Sequence, residues 1–219
     1  VVEGFERTPG SAMVIHPHRH IDGSGTVVTA GRAAELPEGD VASLMLACGA
    51  PWIFPAMSAL SFRREVLDVI LPIPAEHWRL CADGAVAYPA CFLGSVVAIP
   101  RELSSYRLHG SNNYWNSGRD PARVQADVEM TNRYLNDFLQ RIGRADRVEL
   151  GRNLHYRRER YYREGGTLRE AIEVLRLICA WPLYSWWDRL RFMLRFGARL
   201  CRDLTMPRAS ARSPATKAL

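Results

Sequence analysis

Hydrophobic and polar positions alternate in two different ways along this chain. Up to about residue 116 the apolar residues come in short runs broken by Gly, Pro and Asp; beyond it they recur at helical spacing. Met13 to His16 and Thr26 to Thr29 read as two short strands around the turn IDGSG, where Asp22-Gly23 supplies a residue tolerant of positive φ. From Gly31 to Asp40 periodicity is lost and a surface loop is predicted, followed by the apolar SLMLACGAPWIFPAMSALSF, whose end, Ser58 to Phe62, predicts a buried strand. RREVLDVI is a short helical pattern stopped by Pro72 and Pro74. Ala82 to Phe92 predicts a helix despite Pro89, with Gly94 as its C-terminal stop and Ser95 to Ile99 as the next strand.

The remaining pattern is helical. Asp120-Pro121 offers an N-cap and an N1 proline, and Val124, Val128, Thr131, Leu135, Phe138 and Ile142 follow at helical spacing to Gly143. A second helix is expected over Asp146 to Arg163. Thr167 with Glu170 forms a capping-box pattern opening a third, and Pro182 separates this from a fourth, from about Ser185 to Asp203. PRASARSPATKAL is polar and proline-bearing, and is expected to be disordered. The expected class is α/β, a mixed sheet followed by an all-helical region, with domains at 1–118 and 119–206 and a tail at 207–219.

A chain of 219 residues that is 47% hydrophobic is long enough for a sizeable domain with an appendage. The net charge of +6 rests on arginine, because Lys217 is the only lysine. Such a surface suits nucleotide phosphates, acidic lipid or nucleic acid, although a composition biased towards arginine codons would also produce it. Cys48, Cys81, Cys91, Cys179 and Cys201 are odd in number and contain no C-x-x-C pair, which reads as buried thiols in a reducing, cytoplasmic setting. Neither a signal peptide nor an uninterrupted apolar run of about eighteen residues is read.

The most specific stretch runs from Trp78 to Asn113. It contains Asp83 in WRLCADGAVAYPACFLG, then VVAIP, then LSSYRLHGSNN. This ordered set resembles the acceptor-side half of the family 2 glycosyltransferases, inverting enzymes of the GT-A, Rossmann-like fold. The resemblance extends upstream over VVEGFERTPGSAMVIHPHRHIDGSGTVV and covers Val1 to roughly Asn116. The family carries a metal-binding Asp-x-Asp motif before these residues. This chain has none and opens at Val1, so the resemblance implies a C-terminal portion, expected to be inactive in isolation.

What the resemblance implies is a sugar transfer from a nucleotide-sugar to a hydroxyl of a polysaccharide, lipid-linked glycan or protein. Asp83 would be the general base, since a carboxylate within hydrogen-bond reach can take the acceptor proton; it could equally cap its helix, and a helix N-terminus would favour its ionised form. His109 matches a position on the metal or diphosphate side, with a divalent Mg or Mn ion in the complete enzyme. Arg107 and Asn112 fall among the substrate-binding positions, Arg107 suiting phosphate. Trp78 could stack on a sugar ring or be a rim residue of the core. His16, His18 and His20 alternate as a metal triad would, but Pro17 and the following turn favour an exposed strand end.

Two features lie outside that resemblance. Arg191, Arg195, Arg199 and Arg202 form a basic stripe beside Trp187, Leu190, Leu194, Gly197 and Cys201, with Trp181, Tyr184 and Trp186 near the helix start. An interfacial helix on an anionic membrane, at the inner face of the plasma membrane, and an ordinary amphipathic packing helix share this periodicity. LHYRRERYYRE interleaves arginine and tyrosine as single-stranded nucleic-acid binders do, although Glu159 and Glu164 dilute it and a solvated helix face is the preferred reading. The functional alternatives are a non-catalytic glycan- or protein-binding module and a basic nucleic-acid-binding protein.

Overall fold

The computed structural model describes residues 1–29, 36–75, 78, 82–109 and 121–205. It is an α/β structure with two small mixed sheets and a helical C-terminal region. The chain divides into two compact units, Val1–Tyr156 and Arg157–Leu219.

In the first unit, helix α1 (Val2–Arg7) leads into β1 (Ser11–Ile15), and every residue of that strand is buried. A fully buried interior strand must be paired on both sides, and β1 lies between β4 (Leu60–Phe62), antiparallel, and β5 (Ser95–Ala98), parallel. A second sheet has β2 (His18–Ile21) between antiparallel β3 (Val27–Thr29) and parallel β6 (Ser104–Arg107). Pro17 separates β1 from β2, and Pro100 lies between β5 and β6. A proline cannot donate to a ladder, so one long parallel pairing is cut into two short ones.

That cut corrects the expected hairpin. The partner of residues 27–29 is His18–Ile21, not Met13–His16, which belongs to the other sheet apart from His16. The turn is held by Asp22, whose Oδ1 accepts from the Ser24 N–H (2.8 Å) and the Thr26 N–H (2.9 Å), and the positive φ of +91° falls on Gly25, not Gly23. The expected strand over Ser58–Phe62 is shorter, because Met57–Ala59 makes a 3₁₀ turn first.

The apolar run before it conceals a helix. In α2 (Val41–Cys48), Asp40 Oδ1 accepts from the Ser43 N–H at 3.1 Å, and Gly49 ends the helix at φ 63°. Gly49 has a second constraint: a Cβ there would lie 2.6 Å from the Glu149 carbonyl oxygen. Of the expected loop Gly31–Asp40, residues 31–35 lie outside the described residues.

Helix α3 (Arg64–Ile70) ends before Pro72, as expected. Helix α4 (Ala82–Cys91) packs on β1, and α5 (Pro121–Arg141) packs on α4. Met13, Ile15, Met45, Ile70, Val96, Leu135 and Leu139 meet in the core of this unit. Gly94 follows α4 but is not a left-handed cap: a Cβ there would lie 2.6 Å from the Gly10 carbonyl oxygen, so close backbone approach explains the glycine.

The helix expected from Asp146 begins at Leu154, as α6 (Leu154–Glu164). The cause is long-range. Asn132 Nδ2 donates to the Val148 carbonyl (2.8 Å) and the Val148 N–H donates to Asn136 Oδ1 (2.8 Å), so α5 side chains take both backbone groups of Val148. Asn153 then caps α6, accepting from the Tyr156 N–H at 3.0 Å. The proposed N-cap Asp120 lies outside the described residues, as does the tail 207–219.

The second unit holds the rest of α6 with α7 (Leu168–Ala180) and α8 (Trp186–Thr205). The expected capping box of Thr167 and Glu170 opens α7. Tyr161, Val174, Ile178, Trp181 and Phe196 are buried. No helix among the described residues is long and apolar enough to cross a membrane. Free thiols are found at buried Cys48 and Cys91, whose pKa values burial pushes up to about 11 and about 12, but Cys179 and Cys201 are exposed, contrary to expectation; Cys81 lies outside the described residues.

Candidate active site

Helix α4 is built from small residues, and Gly84 to Cys91 are all buried. Asp83 is the acidic residue of its first turn and remains only half-buried. Two influences on its carboxyl oppose each other. Burial favours the neutral acid, while the backbone N–H groups of Gly84 and of Asp83 itself favour the anion; burial is larger and holds the pKa above the usual carboxylate range. The N-terminal position therefore does not keep Asp83 as readily ionised as the sequence led us to expect. A raised carboxyl pKa suits a proton acceptor that must later release its proton near neutrality.

Pro89 does not break the helix. A proline at this position has no N–H for the Ala85 carbonyl, four residues back. Tyr134 of α5 supplies the missing donor, its hydroxyl reaching Ala85 O at 3.0 Å. Burial raises the Tyr134 pKa, so this hydroxyl keeps its proton and remains a donor.

Trp78 lies beneath the start of α4, only 6% exposed and edge-on to Tyr134, with centroids 5.1 Å apart. Its ring edge comes within 3.4 Å of where a Gly84 Cβ would be, and its buried Nε1 has no hydrogen-bond partner among the described residues. Trp78 thus supports the Asp83 turn from inside. On the same side of Gly84 lies Tyr88, which meets Phe54 (6.0 Å) and Trp52 (5.6 Å) edge to face. This row of rings ends at Trp52, which is 41% exposed.

Arg107 and His109 lie at the end of β6. Arg107 Nη1 donates to the Gly23 carbonyl at 2.7 Å, tying the strand end to the β2–β3 turn. His109 is exposed, and Asn112 lies outside the described residues. On the same sheet His18, His20 and Tyr106 form a cluster, with centroids 5.2 to 5.8 Å apart. Burial, then the nearby His20 and His16, lowers the His18 pKa. His16 is buried and its Nδ1 faces the Pro17 carbonyl at 2.9 Å. The three histidines therefore do not form one exposed strand end, since His16 precedes β2 and is enclosed. Among the described residues no group of three His, Cys, Asp or Glu side chains could hold a metal ion.

The chain is 42% identical, over 203 residues, to a protein of Nostoc sp. named an uncharacterized glycosyltransferase. The match covers 90% of this chain and 62% of that relative, so the chain spans about three fifths of the relative's length. No family model and no solved structure matches it.

The contacts described fall into two groups, Trp78 and Tyr134 against Gly84 and Ala85 beside Asp83 on α4, and Arg107 with the β2–β3 turn. Tyr134 and Trp52 were missed in the sequence. For Tyr134 a signal existed, because a proline inside a helical pattern orphans one carbonyl and requires a donor from elsewhere. Trp52 carried none, being one aromatic in an apolar run. The LHYRRERYYRE stretch is used internally: Tyr161 and Tyr162 pack on Phe196, and Arg157, Arg160 and Arg163 pair with Glu173 and Glu164.

Proposed function

We propose that this protein takes part in transferring a sugar from a nucleotide-sugar to an acceptor hydroxyl with inversion, on a GT-A-like scaffold, with Asp83 as general base. The observation that carries this reading is the half-buried Asp83 on the first turn of an otherwise enclosed helix, in a chain 42% identical to a protein named a glycosyltransferase. Asp83 would accept the acceptor O–H proton as that oxygen attacks the anomeric carbon. The bond from that carbon to the diphosphate oxygen breaks, and the nucleoside diphosphate leaves with the electron pair. Arg107, anchored through Nη1 to Gly23, and His109 would face the leaving diphosphate. Asn112 is assigned to the substrate by resemblance alone. We assign the stacking of an acceptor sugar to Trp52, whose ring is open, and a supporting role to the buried Trp78. A divalent metal beside the leaving diphosphate remains an expectation of the resemblance.

The test is nucleoside diphosphate release by the full-length gene product over a panel of nucleotide-sugars and glycan acceptors, with the product anomer read by NMR. Turnover with inverted configuration is expected. Glycan binding without turnover from any donor would favour a binding module instead, and a retained configuration would exclude the single-displacement role of Asp83.

A further inference from the structure

We propose that α8 and the turn before it dock this protein on the surface of an anionic bilayer. The second unit uses one side of α8 for its own packing: Phe196 is buried against Tyr161, Phe192 stacks on Tyr184 at 4.6 Å, and the Arg199 guanidinium lies 3.9 Å over the Tyr162 ring. The apolar ridge marked by periodicity is a different one. Trp187 and Leu194, two turns apart, are 66% and 65% exposed. Trp186 is 60% exposed and stacks on Trp187 with centroids 3.9 Å apart, and Leu183 in the preceding turn is 41% exposed. Two stacked indoles held open at a helix start bury little of the area that makes aromatic residues valuable in a core, and contiguous exposed apolar surface marks an interaction site.

The charge beside this ridge selects the occupant. Arg191 and Arg195 are exposed next to it. The ion pairs of this unit involve arginines and glutamates of α6 and α7, and among the described residues none reaches Arg191 or Arg195. Helix α8 carries five arginines against two aspartates, and Arg199 is withdrawn from the stripe by its contact with Tyr162. Indoles at headgroup depth, leucine below them and arginine alongside are the chemistry of a helix lying in a membrane interface, with the arginines against lipid phosphate. A neutral protein groove would match the indoles but leave the two arginines unmatched.

Co-sedimentation of the full chain with vesicles of equal parts phosphatidylglycerol and phosphatidylcholine, and of phosphatidylcholine alone, tests this at low and high salt. Acidic vesicles should bind the chain, more weakly as salt rises. Arg191→Gln and Arg195→Gln should each weaken binding roughly fivefold. The double variant Trp186→Ala/Trp187→Ala should lose roughly tenfold or more at either salt, because apolar insertion is not screened. These side chains are exposed, so circular dichroism should show all variants folded as wild type. Absence of binding to acidic vesicles, or binding indifferent to both sets of substitutions, would overturn the proposal. So would a concentration-dependent dimer abolished by Trp187→Ala without vesicle binding, which would give this face to a second copy. Sugar transfer does not enter the readout, so its failure and a failure here are separate results.

Discussion

Helices α4 and α8 solve opposite problems. From Gly84 to Cys91 every residue of α4 is buried, whereas α8 buries Phe196 and leaves Trp187 and Leu194 open. A helix enclosed on all sides is made of small residues, and each interruption in its hydrogen bonding must be repaired from a neighbour; Pro89 is admitted because Tyr134 repairs it. A helix with one open side carries large aromatics and arginines there without any such repair. The difference teaches where substitution should matter: at α4 in chemistry and stability, at α8 in association.

Substituting Asp83 should have the largest effect. Asp83→Asn keeps the shape but cannot accept a proton, and kcat for sugar transfer should fall about 10²- to 10⁴-fold while donor affinity is kept. Steady-state kinetics on the full-length product check this, and near-normal turnover would remove Asp83 from the chemistry.

Next comes the Pro89 repair. Tyr134→Phe leaves the Ala85 carbonyl without its donor and should cost about 1–3 kcal/mol in urea unfolding. In a Pro89→Ala background the backbone N–H is restored, so the same substitution should cost distinctly less. An equal loss in both backgrounds would show that the Tyr134 ring, not its hydroxyl, is what α4 needs.

Removing the open end of the ring row should act on binding alone. Trp52→Ala should raise KM for the acceptor by an amount on the order of 1 kcal/mol, with kcat little changed and Trp52→Phe largely restoring it. An unchanged KM would withdraw Trp52 from the acceptor.

The pH dependence of stability separates burial from function at Asp83. Its folded pKa is raised, so the folded state holds the proton more tightly than the unfolded one. The cost of its charge is absent below the unfolded pKa, grows as pH rises through the folded pKa and is complete above it. Asp83→Asn should therefore raise Tm at neutral pH, with the gain vanishing as pH falls through the carboxylate range. The smallest effect belongs to α8, where Trp187→Ala should change unfolding free energy by no more than about 0.5 kcal/mol. A loss of several times that would mean that the exposed ridge supports the fold after all.

What was legible in the sequence was local. The Thr167–Glu170 box, the stop of α5 just before Gly143 and the helix carrying Asp83 each follow from residues a few positions apart. What escaped depends on distant partners. The start of α6 is decided by Asn132 and Asn136 claiming Val148, and the hairpin was misassigned because MVIHPHRHI runs on in one pattern while Pro17 divides it between two sheets. Helix α2 was hidden because a segment apolar on most sides shows little periodicity. Within the candidate site, Asp83 was singled out by its motif, but the balance that raises its pKa and the burial of Trp78 required the surrounding fold.

The neighbours of β1 impose an order of events on the ribosome. This strand is buried along its whole length, yet its antiparallel partner β4 follows only after β2, β3 and α2, and its parallel partner β5 only after α3 and α4 as well. Pairing over such separations is slow because the intervening loop must close first. A nascent chain therefore exposes an adhesive edge until Val96 is out of the exit tunnel, and the yield of folded protein should depend on how well that waiting strand is shielded from other nascent chains.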